Sequence, residues 1–209
     1  MPTLWHFDDA PTSTQLSEMT AVLRDGKVVL MPTDTIYGLH ALALDSNAVA
    51  RTAEIKGRAE TKPFIVLAAS TTQLADLGIS ADPAILTSLA SVWPAPLTAI
   101  LPLSHPIAAS RGASSIAVRI PALDWLRELV QRTGPLVSTS ANRSGEPPIE
   151  TPSSLARDLH SQLDAVADGG LRRGEPSAIL DLTTAEPVFI REGEESFTQK
   201  VWKTLRKTL

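Results

Sequence analysis

Apolar and polar positions alternate in two periods along this chain. Between Ser13 and Asp25, Leu16, Met19 and Leu23 recur at three- and four-residue spacing, which predicts a helix that Gly26 ends. KVVLMPT follows, an apolar run of strand length closing at Pro32. Helical spacing returns from Ser46 to Ile55, and FIVLAA, Phe64 to Ala69, again has the length and β-rich content of a strand. Asp82-Pro83 pairs a cap acceptor with proline at a first helical position, so a helix should run from there with Ile85, Leu86 and Leu89 inward and stop before Pro94. LTAILPL and SIAVRIP predict strands, Leu123 to Thr133 a helix closed by Gly134, and PLVSTS another strand. Thr151-Pro152 repeats the cap-plus-proline start for a helix through Leu163, and AILDLT and PVFIRE complete the strands. In the tail, Ser196 to Leu209, Phe197, Val201 and Leu205 share one helical face. Lys203, Arg206 and Lys207 crowd its C-terminal end, where cations suit the helix dipole and a nucleic-acid contact is the alternative.

Strands interleaved with helices predict an α/β fold, with several connections long enough for parallel crossovers. The short link between LTAILPL and SIAVRIP points to an antiparallel pair, so a mixed sheet flanked by helices is expected. No repeat, low-complexity tract or linker divides the chain, and residues 1–209 are expected to form a single domain. Hydrophobic residues at 43% and charged residues at 20% fit a folded chain rather than a disordered one. The formal net charge of -4 gives no global case for gripping a long nucleic-acid backbone, though it leaves room for a local basic cleft. The absence of cysteine excludes disulfides, thiolate metal sites and cysteine nucleophiles. Acids stand near the start where a leader would carry a basic region, and no apolar run approaches the roughly 20 residues of a membrane span. A cytoplasmic protein without membrane contact is the expectation.

Five clusters could carry chemistry, each near a predicted element end, where open α/β sheets bind ligands. Pro32 to Leu39 (PTDTIYGL) sets two hydroxyls and an acid after a buried strand, with Gly38 read as allowing a tight turn; an ordinary capped turn reads the same way. Lys56-Gly57-Arg58, with Lys62 behind, can aim cations at polyphosphate, although a helix C-terminus favours cations anyway. Ser138 to Gly145 (STSANRSG) concentrates hydroxyl and amide donors after a strand, as phosphate or carboxylate oxygens require and as an ordinary turn also does. Arg119 and Arg191 each close an apolar strand, where they either snorkel to solvent or hold an anion.

Missing motifs narrow the chemistry. There is no G-x-x-x-x-G-K-[ST] loop, no G-x-G-x-x-G fingerprint and no G-x-S-x-G elbow. His6, His40, His105 and His160 are scattered without metal-ligand spacing and read as surface or capping residues. With no evident nucleophile or general base, a reaction run by positioning and charge neutralisation, such as nucleotidyl transfer, suits the inventory best.

The order of the clusters resembles the YrdC-type threonylcarbamoyl-AMP synthase family. Its hallmarks are matched by Thr33 to Leu39, Lys56 with Arg58, Trp93 to Thr98, Val118 to Pro121, Ser140 with Asn142, Pro176 to Asp181, and Arg191 with Gly193, over roughly residues 13–193, with a C-terminal helix at 194–209. The resemblance departs at Ala95, where a glycine is usual, and at Ala178, where a threonine is usual, which leaves the turn shape and one pocket hydroxyl open. Leu67 stands where longer, two-domain members carry a threonine-contacting histidine, which fits the short class.

The resemblance implies a YrdC/RibB-like twisted mixed sheet around a concave basic cleft. It implies that L-threonine and bicarbonate or CO2 form a carbamate that is joined to AMP from ATP, releasing pyrophosphate, with Mg2+ carried by the ATP phosphates and no metal held by the protein. Lys56, Arg58, Ser140 and Asn142 would be catalytic, and Lys56, Arg58, Lys62, Ser115, Ser140, Asn142 and Arg191 would bind ATP. Thr35, Arg119, Ser138 and Ser177 would bind threonine. The product would feed threonylcarbamoyladenosine formation in tRNA through a separate transferase complex, with direct tRNA contact a further expectation. A family paralogue without this activity, or a tRNA or double-stranded-RNA-binding protein, is the alternative; few aromatics (4%) weigh against stacking on RNA.

Overall fold

The computed structural model describes residues 2–57, 62–142 and 146–206. Among them the chain runs β1 (Thr3–His6), α1 (Ser13–Arg24), β2 (Val29–Pro32), β3 (Tyr37–Leu42), α2 (Ser46–Lys56), β4 (Ile65–Leu67), α3 (Pro83–Ala90), β5 (Leu97–Pro102) and β6 (Ser115–Arg119). It continues through α4 (Asp124–Thr133), β7 (Leu136–Ser140), α5 (Arg157–His160), β8 (Ala165–Asp168), β9 (Ala178–Asp181), β10 (Val188–Arg191) and α6 (Glu195–Leu205). The helix boundaries follow local chemistry. Thr12 and Gln15 form a reciprocal capping box at the start of α1. Asp45 caps α2, and Gly57, left-handed at φ 58°, ends it so that Lys56 falls in the last turn.

The strands form one mixed sheet in the order β1-β8-β2-β3-β7-β4-β6-β5-β9-β10. β5 and β6 are antiparallel, as their short link predicts. One face packs on α2, α3 and α6 over a core that includes Leu30, Leu39, Val66, Val118, Leu180 and Val201. The opposite face is only partly covered: α1 and α4 close Leu16, Met19, Leu23, Trp125, Leu126 and Leu129 over Val29, Met31, Leu67 and Leu136.

Register explains why that cover stops. Partners across strands share a face, and one row runs Leu42, Leu136, Leu67, Arg119, Thr98, Ile179, Arg191. Its first three members are hydrocarbon, and at Arg119 the row turns polar. The adjacent row runs Val29, His40, Ser138, Ile65, Ala117, Ile100, Asp181. The uncovered part of both rows is the floor of a cleft.

Two expectations need correction. YGLHAL is strand β3, paired on both sides, and Gly38 lies inside it rather than in a turn. A Cβ there would fall 2.9 Å from His40 Cε1 and 3.0 Å from the Thr139 carbonyl oxygen, so glycine is required by crowding. The helix expected from Thr151 to Leu163 is broken into a 3-10 turn, Pro152–Ser154, and the four-residue α5, with Leu155 extended between them. Thr151 Oγ1 bonds the Ser153 and Ser154 hydroxyls instead of capping, while Leu155, Leu159 and Leu163 still reach the core. In α3, Leu89 is buried and Ile85 and Leu86 pack against the core, as expected, with Ser88 buried beside them.

Candidate active site

The cleft has a volume of about 660 Å³, within the range of small-molecule sites. Its lining draws Thr35 from the β2–β3 turn, Ser138 and Ser140 from β7, Ser115 and Arg119 from β6, Ser177 from the approach to β9, and Arg191 from β10. Lys62 and Asn142 line it as well. Nine predicted site residues, scattered over most of the chain, therefore share one concavity. Lys56 stands just behind: its Nζ donates to the Ser140 carbonyl at 2.7 Å, to Asn142 Oδ1 at 3.0 Å and to the Asn142 carbonyl. Lys56, Ser140 and Asn142 thus form one bonded group joining the end of α2 to the end of β7. Arg58 lies outside the described residues.

Arg119 is 4% exposed. Its Nη1 donates to Thr35 Oγ1 at 2.8 Å and its Nη2 stands 3.6 Å from Asp34 Oδ1. That separation is an ion pair but too long for a hydrogen bond. Arg119 Nε has no partner among the described residues. Burial lowers the guanidinium pKa from its ordinary value; Asp34 opposes the shift and Arg191 adds to it. Guanidinium stays charged across the biological range, so the cleft floor holds a buried cation with donor capacity to spare.

Three cleft hydroxyls are each held from behind. Thr35 Oγ1 bonds Thr33 Oγ1 at 2.9 Å, Ser177 Oγ bonds Thr98 Oγ1 at 2.8 Å, and Ser138 Oγ bonds His40 Nε2 at 3.2 Å. The Thr33 hydroxyl itself donates to the Ile36 carbonyl at 2.8 Å, so the Thr35 hydrogen turns back to Thr33 and Thr35 offers the cleft a lone pair. At the Arg191 end the lining is apolar, with Ile100, Ile179 and Ile190, and Arg191 Nε donates to the Ser177 carbonyl at 2.8 Å.

Reasoning from sequence missed several of these residues. His40 was expected at the surface and is fully buried instead, because β3 pairs with β7 and sets it opposite Ser138. Asp34 lay within a cluster already singled out, but only the fold brings it to Arg119. The isoleucine floor was visible as strand alternation that nothing local marked as exposed to a ligand. Both departures from the family pattern also resolve. Ala178 faces the core, so position 178 supplies no pocket hydroxyl; Ser177 does. Ala95 is buried and its N–H donates to the Ile120 carbonyl at 3.1 Å. Arg111 is the only described non-glycine residue with positive φ, so the turn at Ala95 does not demand glycine.

Comparison with known proteins adds an independent line. A family model described as Sua5_yciO_yrdC, telomere recombination, matches residues 21–193. The chain is 38% identical over 175 residues to a Pyrococcus abyssi protein named threonylcarbamoyl-AMP synthase, covering 82% of this chain and 52% of that one. A Bacillus subtilis protein of the same name is 35% identical over 184 residues, with 86% and 53% covered. For one from Pseudomonas aeruginosa the figures are 36% over 170 residues, with 80% and 92% covered. This chain thus spans about half the length of the first two relatives and most of the third. The solved structure of P. abyssi Sua5 complexed with L-threonine superposes with a TM-score of 0.86 at 34% identity, over 95% of this chain and 60% of that one. E. coli YciO, at 24% identity and a TM-score of 0.81 over 93% and 97%, shares the fold.

Proposed function

We propose, from the premise that this chain belongs to the Sua5/YciO/YrdC family, that it is a threonylcarbamoyl-AMP synthase. What carries the reading is the Arg119 end of the cleft. A buried guanidinium with an unpartnered Nε, flanked by the Thr35, Ser138 and Ser177 hydroxyls, suits a carboxylate with polar groups beside it.

With the carboxylate on Arg119, the threonine amine faces the open cleft, where it combines with CO2 and loses a proton, or combines with bicarbonate and loses water. A carbamate oxygen then attacks the α-phosphorus of ATP. The new P–O bond gives threonylcarbamoyl-AMP, and the bond to the β-phosphate breaks to release pyrophosphate. Ser115, Ser140, Asn142 and Arg191 make up the nucleotide side, and Lys56, Arg58 and Lys62 the phosphate set. Magnesium comes with the ATP phosphates. The residues act by alignment and by offsetting charge as it builds on the leaving phosphates. We further place the product in the threonylcarbamoyl modification of tRNA, through a separate transferase complex in the cytosol. No helix among the described residues is long and apolar enough to cross a membrane.

The test is direct. Purified protein given ATP, threonine and bicarbonate should release pyrophosphate only when threonine is present and should form threonylcarbamoyl-AMP, identified by mass. Threonine-independent ATP hydrolysis, or no product, overturns the assignment. Salt-sensitive RNA binding without turnover would move it to an RNA-binding module. Arg58→Ala should lower turnover by about 100-fold or more, the scale for losing one preorganised donor; wild-type turnover removes Arg58 from the phosphate set.

A further inference from the structure

We propose that His40 is a positioning residue for the amino-acid end of the cleft, holding the Ser138 hydroxyl in one orientation towards bound threonine. This inference rests on the functional reading above and names a residue that the reading does not use.

The geometry is local. His40 and Ser138 are direct partners across β3 and β7, on the face that forms the cleft floor, and Nε2 lies 3.2 Å from Oγ. His40 is fully buried, whereas Ser138 lines the cleft. On its other side His40 pairs with Val29, which belongs to the core beneath α1 and α4. The ring therefore stands at the seam between hydrocarbon and cleft. Space for it is kept by Gly38, two residues earlier on the same face, whose missing Cβ would fall 2.9 Å from His40 Cε1.

His40 Nδ1 has no hydrogen-bond partner among the described residues, so the bond at Nε2 alone offsets the cost of burying the imidazole, and an aliphatic side chain would serve the core better at this seam. The polar partner it meets in the cleft floor is Ser138. A serine hydroxyl has one hydrogen and rotates freely when nothing holds it. A bond to the ring, in either tautomer, commits one of its bonding directions and turns the remainder into the cleft. Thr33 and Thr98 hold Thr35 and Ser177 in the same manner. Ser138 is the one of the three whose rear partner is an aromatic base. Burial and the charge of Arg119 hold that base down at a pKa of about 3, so it is neutral at working pH and adds no cation to an end of the cleft already served by Arg119.

The test is a double-mutant cycle read by threonine-dependent pyrophosphate release. His40→Leu should raise KM for threonine about tenfold, the scale of one lost hydrogen bond, and leave KM for ATP within about twofold. His40→Gln, whose amide reaches the same position, should recover most of the loss. Adding His40→Leu to Ser138→Ala should change nothing further. Unchanged KM for threonine in His40→Leu, equal rises for both substrates, or additive losses in the double variant each overturn the proposal. If His40→Leu does not fold, His40→Gln is compared with His40→Asn, whose amide is too short to reach; equal KM for threonine in these two overturns it. A wild-type protein without threonine-dependent release instead overturns the functional reading, and is seen before any variant is made.

Discussion

Arg119 occupies the point in its row where the sheet floor passes from leucine to polar groups, and Asp34, with a side chain 6% exposed, is its counter-charge. Removing one member of a buried ion pair strands the other. Arg119→Met should therefore lower unfolding stability by about 3–5 kcal/mol, and Arg119→Met/Asp34→Asn should regain part of it in urea titrations. Failure of the second change to help would mean that the two charges are not coupled. Individual residues of this site were legible where their chemistry is rare in strands: hydroxyl runs after apolar segments, and arginines closing them. His40 was not, because a lone histidine carries no local mark of burial; its meaning depends on a strand almost a hundred positions away.

The starts of α1, α2 and α3 were legible nearly to the residue, whereas the Thr151-Pro152 signal led into a broken segment. The Thr12 capping box, the Asp45 cap and the Asp82-Pro83 start each set a boundary by short-range bonding. Segments whose conformation depends on distant partners were not. YGLHAL follows a hydroxyl cluster and carries a glycine, so it reads as a turn until its neighbours are known. The connection from β8 to β9 is another such segment. Tyr37 Oη donates to the Gly170 carbonyl at 2.7 Å and accepts from the Gly169 N–H at 3.1 Å, while Gly174 lies directly on Thr35. A Cβ at position 174 would fall 1.8 Å from the Thr35 carbonyl oxygen. Gly174→Ala must then move backbone at the Thr35 end of the cleft. It should cost about 1–3 kcal/mol of stability and raise KM for threonine; unchanged thermal unfolding and kinetics would show that this segment yields without consequence.

At the scale of the molecule, helix and strand alternation made the α/β class and the mixed sheet legible, while strand order was not. Nothing in the residues of β7 announces that it lies between β3 and β4. Stability against pH is a property of the same scale. The His40 pKa falls from 6.5 to about 3 on folding, chiefly through burial and then through Arg119. Above pH 6.5 both states are neutral there and nothing is lost. As pH drops through that value the unfolded chain takes a proton that the folded one refuses, so stability declines until about pH 3. Relative to His40→Gln, the wild type should lose about 2 kcal/mol between pH 7 and pH 5. Equal slopes in denaturation series at these pH values would mean that the imidazole is not held neutral.

The position of β7 also bears on how the protein is made. Of the three central strands it is the last to leave the ribosome, since Leu136–Ser140 follows Tyr37–Leu42 and Ile65–Leu67 in the chain. Before it emerges, β2 with β3 and β4 with β5 and β6 have no common edge. A translation product cut short of that strand lacks the segment that joins the two half-sheets and that brings Ser138 and Ser140 to the cleft.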